Sequence, residues 1–145
     1  MAHKNESEFW QSVKRRMASV SKLHLSRIEN DVGSGIPDLS LCCEGKYAWV
    51  ELKVFCGSRL KFRSSQFAWA TSHAKAGGAV FVLARDDSGQ WLLFSAASLF
   101  SLSKEPVDGS GKAFYIRPVG VEPLWRGAEP AIDASALVHV GIFNE

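Results

Sequence analysis

The stretch "GSGIPDLSLCCEGKYAWVELK", residues 33–53, brings together Asp38, Glu51 and Lys53: two carboxylates able to hold a hard cation, with an ammonium close by. Spacing says more than charge. Read as a two-residue turn, Glu44-Gly45 sets Cys43 opposite Lys46 and Cys42 opposite Tyr47, and counting back brings Asp38 directly across from Glu51. Opposed carboxylates repel unless a cation lies between them or one carries a proton, so the pairing asks for a divalent ion such as Mg²⁺. A four-residue loop keeps this register, whereas a three-residue loop shifts it by one. Charges on a strand often mark only a solvated face. Against that plain reading stands the opposite side of the hairpin, where aliphatic Leu39, Leu41, Ala48, Val50 and Leu52 alternate with Asp38, Ser40, Trp49, Glu51 and Lys53.

The elements that must position these residues follow from hydrophobic periodicity. Phe9, Val13, Met17 and Val20 recur at helical spacing and predict an amphipathic helix over residues 6–20. Residues 22–30, "KLHLSRIEN", suit a first strand leading into the irregular loop "NDVGSG", and residues 38–43 and 47–54 form the hairpin. Ser64 caps a helix from residue 64 to 75, Gly77-Gly78 end it, and "AVFVLA", residues 79–84, reads as a buried strand parallel to 47–54. Beyond it come a turn at "RDDSGQW", a strand at "QWLLFS" and a short helix at "SAASLFSL". From about Pro106 the pieces are strand-like and loop-like, and Trp125, Leu137, Ile142 and Phe143 leave two roles open, wrapping the core or forming a dimer surface.

At 145 residues, 46% hydrophobic and 22% charged, the chain suits one globular domain, residues 1–145, with a core over about 6–103 and an extension over about 104–145. No apolar run approaches a membrane span, and "MAHKNESE" does not read as a signal peptide, so a cytoplasmic protein is expected. Cys42, Cys43 and Cys56 are odd in number and lack zinc-type spacing, and they read as small apolar residues. The net charge of +2 is unevenly spread: residues up to Lys75 carry twelve basic and seven acidic side chains, which leaves −3 for the rest. A basic first half points to an anionic partner.

Within that half, "FCGSRLKFRSS" alternates Arg59, Lys61 and Arg63 with Leu60 and Phe62. If extended, it turns three cations to one side, next to Lys53, as a phosphate-tracking edge requires, although a solvated loop would look the same. Lys14, Arg15 and Arg16 form a second basic cluster with the same two readings, and Arg27 adds a further candidate anion contact. His3, His24, His73 and His139 are scattered without ligand spacing and are assigned no catalytic role. There is no GxSxG elbow and no P-loop.

"IPD" with Asp38 and "ELK" with Glu51 and Lys53 resemble the two halves of the PD-(D/E)XK nuclease signature. "GIPDL", "WVELK" and "SSQFAWATSHAKAGGAVFVLAR" look like its VRR-NUC branch, and "ESEFW" looks like the opening helix of the archaeal Holliday-junction resolvases. The resemblance covers about residues 6–85 and implies an α/β fold: a restriction-endonuclease-like core, its mixed central sheet holding an antiparallel hairpin and a parallel crossover strand, flanked by helices. It implies a metal-dependent endonuclease acting on branched or structured DNA, in a bacterial or phage-infected cell, with Mg²⁺ or Mn²⁺ as cofactor.

Carried over residue by residue, it makes Asp38, Glu51 and the backbone carbonyl of Leu52 metal ligands. Lys53 orients water and balances charge on the phosphate, and Gln66 supports the site through hydrogen bonds. Gln66 also has a plain reading, a polar residue in the first turn of a helix. An early helical glutamate joins the catalytic and metal set. Glu6 is preferred because it precedes Phe9, Trp10 and Val13 by three, four and seven, on the inward face, while Glu8 shares a face with Ser12 and Arg15. Either acid would also suit a helix N-terminus electrostatically. DNA is the expected partner, no membrane is, and a homodimer is left open. Two other readings stay open: a nicking or restriction-like nuclease on ordinary duplex, and a nucleic-acid-binding protein of this fold without catalysis.

Overall fold

The computed structural model describes residues 2–28, 35–55, 57–128 and 134–143. Expectations for the loop at 29–34, for Cys56 and for residues 129–133 and 144–145 fall outside that set.

The hairpin forms in the expected register. Glu44 and Gly45 both take positive φ, 52° and 82°, which suits the right-handed twist of a tight hairpin, and β2 (Leu39–Cys43) pairs with β3 (Lys46–Val54) from Leu39↔Val50 to Cys43↔Lys46. β1 (Leu23–Arg27) adds to the outer edge of β2. α1 spans Ala2–Met17, starting earlier and ending earlier than its apolar spacing suggested. Val20 is still buried, but it follows the helix in a turn that Lys22 completes at φ 63°. β1 likewise stops at Arg27, short of residue 30.

β4 (Leu60–Arg63) leads into α2 (Ser64–Lys75), and β5 (Val80–Arg85) returns parallel to β3, with Glu51↔Val82 and Lys53↔Ala84. α2 ends as its glycines require: Gly77 sits at φ 96°, its N–H donates to the Ala74 carbonyl, and the Gly78 N–H donates to that of His73. β6 (Gln90–Ser95) and α3 (Ala96–Phe100) follow as expected.

The C-terminal segment is more ordered than its sequence pattern suggested. β7 (Lys104–Pro106) and β8 (Ala113–Ile116) join β4 in a second sheet of order β4-β8-β7. β9 (Trp125–Ala128) closes the main sheet, β1-β2-β3-β5-β6-β9. α4 (Ala134–Ala136) continues into a π-helical turn at Leu137–Ile142, which no periodicity announced.

Two apolar layers flank the main sheet. On one face Phe9, Val13 and Met17 of α1 and Leu137, Val138, Ile142 and Phe143 pack on Leu39, Leu41, Ala48, Val50, Leu52, Leu83 and Leu93. Of the two roles open to the extension, these residues wrap the core. On the other face Leu60, Phe62, Phe114 and Ile116 of the second sheet pack on Val82, Ala84, Leu92 and Phe94. β5 is covered on both sides, as a strand inside a parallel crossover must be. Cys42 and Cys43 are free thiols, and burial pushes that of Cys43 up. Among the described residues no helix is long and apolar enough to cross a membrane.

Candidate active site

Past Leu39↔Val50 the β2–β3 ladder ends, and the N–H of Leu52 would lose its partner. Asp38 supplies one: its Oδ2 accepts from Leu52 N at 2.8 Å. The same bond holds the Asp38 carboxyl against β3, where Glu51 projects from the next position. Glu51 is 8% exposed, and its Oε2 accepts from Gln66 Nε2 at 2.8 Å. Lys53, 9% exposed, stands 3.6 Å from the same oxygen and donates to Gln66 Oε1 at 3.1 Å. Gln66 Oε1 also accepts the N–H of Arg63 at 2.8 Å. Both donors must meet the carbonyl oxygen and the carboxylate must meet the amide nitrogen, so the amide has one orientation.

Gln66 therefore does two things at once. It covers an N–H at the start of α2, at the boundary residue Arg63, and it ties Glu51 to Lys53. This corrects the expected cap: Ser64 lies inside the helix and donates its hydroxyl to the Gly111 carbonyl.

Burial first, then the charge of Asp38, pushes the Glu51 carboxyl up to about 8, against the opposing pull of Lys53. A hydrogen bond from the protonated Glu51 to Asp38 and the charge of Glu6 push the same way. Glu6 is half-buried, while Glu8 is exposed. Two carboxyls drawn together beside an ammonium are donor chemistry that fits a hard ion such as Mg²⁺, which binds through one or two carboxylates and keeps several waters. Among the described residues no three His, Cys, Asp or Glu side chains cluster tightly enough to hold an ion by themselves. Glu6 lies close enough to act on the pair through its charge.

Two positioning residues escaped the sequence reading. Gly35, at φ 82°, lies so close to α2 that a Cβ would come within 2.1 Å of the Ser65 carbonyl oxygen, which docks the approach to Asp38 on the turn that carries Gln66. Phe62 places its ring 4.7 Å from Lys53 Nζ. The glycine was visible as a loop signal, but its contact was not. The phenylalanine was visible as an alternating apolar residue.

The basic candidates are only partly gathered. β4 turns Leu60 and Phe62 inward and leaves Lys61 and Arg63 exposed, so the expectation of three cations next to Lys53 is corrected: Phe62 takes that place. Arg59 lies over the Tyr115 ring at 4.2 Å. Arg27 stands over Trp10 at 5.5 Å, on the strand end paired with Leu39 and hence near Asp38. Lys14, Arg15 and Arg16 occupy the last turn of α1, about 12–15 Å along the axis from Glu6.

No protein-family model matches the sequence, and no curated protein matches it. Among solved structures the chain is similar to Archaeoglobus fulgidus Hjc, a Holliday junction resolvase from an archaeal hyperthermophile, with a TM-score of 0.55 over 81% of this chain and 91% of that one. The fold is restriction-endonuclease-like. At 17% identity the likeness is one of fold. In this restriction-endonuclease-like core the carboxylates sit toward the C-terminal end of β3, beside parallel β5, the end at which open α/β sheets place their ligands.

Proposed function

We propose that the protein is a metal-dependent endodeoxyribonuclease that hydrolyses phosphodiester bonds in branched or structured DNA, such as four-way junctions or flaps. The observation that carries this reading is the buried Glu51 carboxyl, bonded by Gln66 beside Lys53, with the Asp38 carboxyl held at the adjacent Leu52 N–H. The fold shared with a Holliday junction resolvase supports branched DNA as the substrate class.

A Mg²⁺ or Mn²⁺ ion held by Asp38 and Glu51 would polarise the scissile phosphate and lower the pKa of a bound water. The chain does the rest. The Leu52 N–H holds Asp38 in place, and because the N–H and C=O of a strand residue point to the same side, the Leu52 carbonyl faces the same edge as a further oxygen donor. Lys53 orients the attacking water and offsets charge on the phosphate, its ammonium steered by Gln66 and shielded on one side by Phe62. Arg59, Lys61, Arg63 and Arg27 contact phosphates, which positions DNA without reading its sequence. A four-way junction has two related scissile strands, and a two-fold homodimer would match them.

Labelled duplex, flap, single-stranded and four-way-junction DNAs, each assayed with Mg²⁺, Mn²⁺, Ca²⁺ or excess chelator, test the reading. Cleavage of branched DNA with Mg²⁺ or Mn²⁺, and weak cleavage with the larger Ca²⁺, is expected. Full activity in chelator would overturn the mechanism, and equal cutting of plain duplex would move the substrate to the nicking or restriction-like class.

A further inference from the structure

A cleft of about 540 Å³ opens at the far end of β3 from Asp38 and Glu51, where the strand begins, α2 ends and the π-helical turn packs nearby. That volume suits a small organic ligand or part of a larger one. Its walls are aromatic. Trp49 stands edge-on to His73 with centroids 6.1 Å apart, and His73 stacks on Trp69 at 4.7 Å and 16°. The imidazole lies directly on the chain at Gly78, where a Cβ would come within 2.2 Å of the ring. Tyr47, in step with Trp49, Glu51 and Lys53 along β3, is 72% exposed. Lys46 Nζ donates to the Phe143 carbonyl at 3.2 Å, which leaves two ammonium protons for another acceptor.

The occupant must match both the rings and the charge. The Lys46 ammonium supplies the charge, and it matches an anion. A protein partner would call for a broad apolar patch, but the other large exposed apolar side chains, Val119 and Leu124, do not line the cleft. An exposed flat ring beside an ammonium suits a nucleotide: the base stacks and the phosphate pairs. Four residues of strand put Tyr47 about 13 Å from Glu51, a few base steps along nucleic acid.

We propose that this cleft is a stacking subsite for one unpaired nucleotide of the DNA, with the base on Tyr47 and the phosphate on Lys46. The inference rests on the nuclease reading and narrows its substrate to branched DNA that carries an unpaired strand, such as a flap. Free nucleotide shares the chemistry, so the test separates the two sources.

Tyr47→Ala, Tyr47→Phe and Lys46→Gln would be titrated in chelator against three probes: a flap DNA with 2-aminopurine in its unpaired strand, a matched paired duplex, and deoxynucleoside monophosphate. Tyr47→Ala should weaken binding of the unpaired probe about tenfold and abolish its fluorescence quench. Tyr47→Phe should keep both, and duplex affinity should not change. Tyr47 is exposed, so the fold should survive its removal, and an unaltered melting temperature checks this. Equal affinity of parent and Tyr47→Ala for the unpaired probe would overturn the proposal. So would tight binding of monophosphate alone, or a fall in oligomer mass with Tyr47→Ala, which would make the cleft a free-nucleotide site or an interface. If the parent cleaves no DNA yet the quench and its loss persist, the nuclease reading fails and the stacking site stands. If the parent cleaves branched DNA and Tyr47→Ala changes nothing, only the stacking site fails.

Discussion

The two faces of β3 obey opposite physics. Ala48, Val50 and Leu52, at 1%, 1% and 4% exposure, pack among the residues of α1, and each square ångström of apolar surface removed from water stabilises the fold by about 25 cal/mol. Glu51 and Lys53, on the other side, are buried almost as deeply, yet for them the loss of water is a cost. Gln66 bonds both side chains and Phe62 lies against Lys53, while burial and the charge of Asp38 push the Glu51 carboxyl up to about 8. Burial therefore does not separate the scaffold from the site. What separates them is whether removing water leaves a group with its needs met. β4 gives a milder version of the contrast, since Leu60 and Phe62 face inward while Lys61 and Arg63 stay in water and store nothing.

Exchanging charge for amide on the polar face should sharpen this contrast most. Asp38→Asn and Glu51→Gln keep side-chain volume and end the competition of two carboxyls for one proton, so metal-free stability should not fall, while single-turnover cleavage should drop on the order of a thousandfold. Tight metal binding by the double variant, measured by calorimetry, would show the roles to be wrong. The apolar face should answer in the opposite currency. Leu52→Ala should lose about 2–5 kcal/mol in denaturant unfolding, with metal affinity kept wherever the protein remains folded, because the residue gives the site only its backbone.

A smaller effect should appear in the pH dependence of the metal-free protein. The Glu51 carboxyl is raised in the folded state from 4.5 to about 8, so the native protein holds that proton more tightly than the unfolded chain does. The stabilisation is fully present below the unfolded value and is lost as pH rises through the folded one, on the order of a kcal/mol or two if Asp38 shares the proton. Unfolding midpoints in chelator should therefore fall from about pH 5 to about pH 9, and Glu51→Gln should flatten that slope. A parent midpoint that rises across this window would break the comparison. The smallest change should come from β4: with Arg59, Lys61 and Arg63 all replaced by Ala, the log–log salt slope of DNA binding should shallow by about 2–3 while stability holds. An unchanged slope would place the DNA elsewhere.

The sequence by itself determined what is local. The turn at Glu44-Gly45 fixes the hairpin register, the period of two sorts the faces of β3, and the start and glycine stop of α2 lie within the segment they govern. Asp38, Glu51 and Lys53 could be brought together on paper for that reason. Only the tertiary structure decided what joins segments far apart along the chain. β4 finds its partner in β8, Leu137–Ile142 closes the core against α1, and Gly35 presses on Ser65 to deliver Asp38 beside Gln66. Lys53 looks toward Phe62 and away from the cations it was expected to join, because β4 is packed by its apolar side against the main sheet. Periodicity says which side of a strand is apolar, but the side that meets a given lysine depends on where the strand is docked, and docking is settled by contacts that no short window of sequence contains.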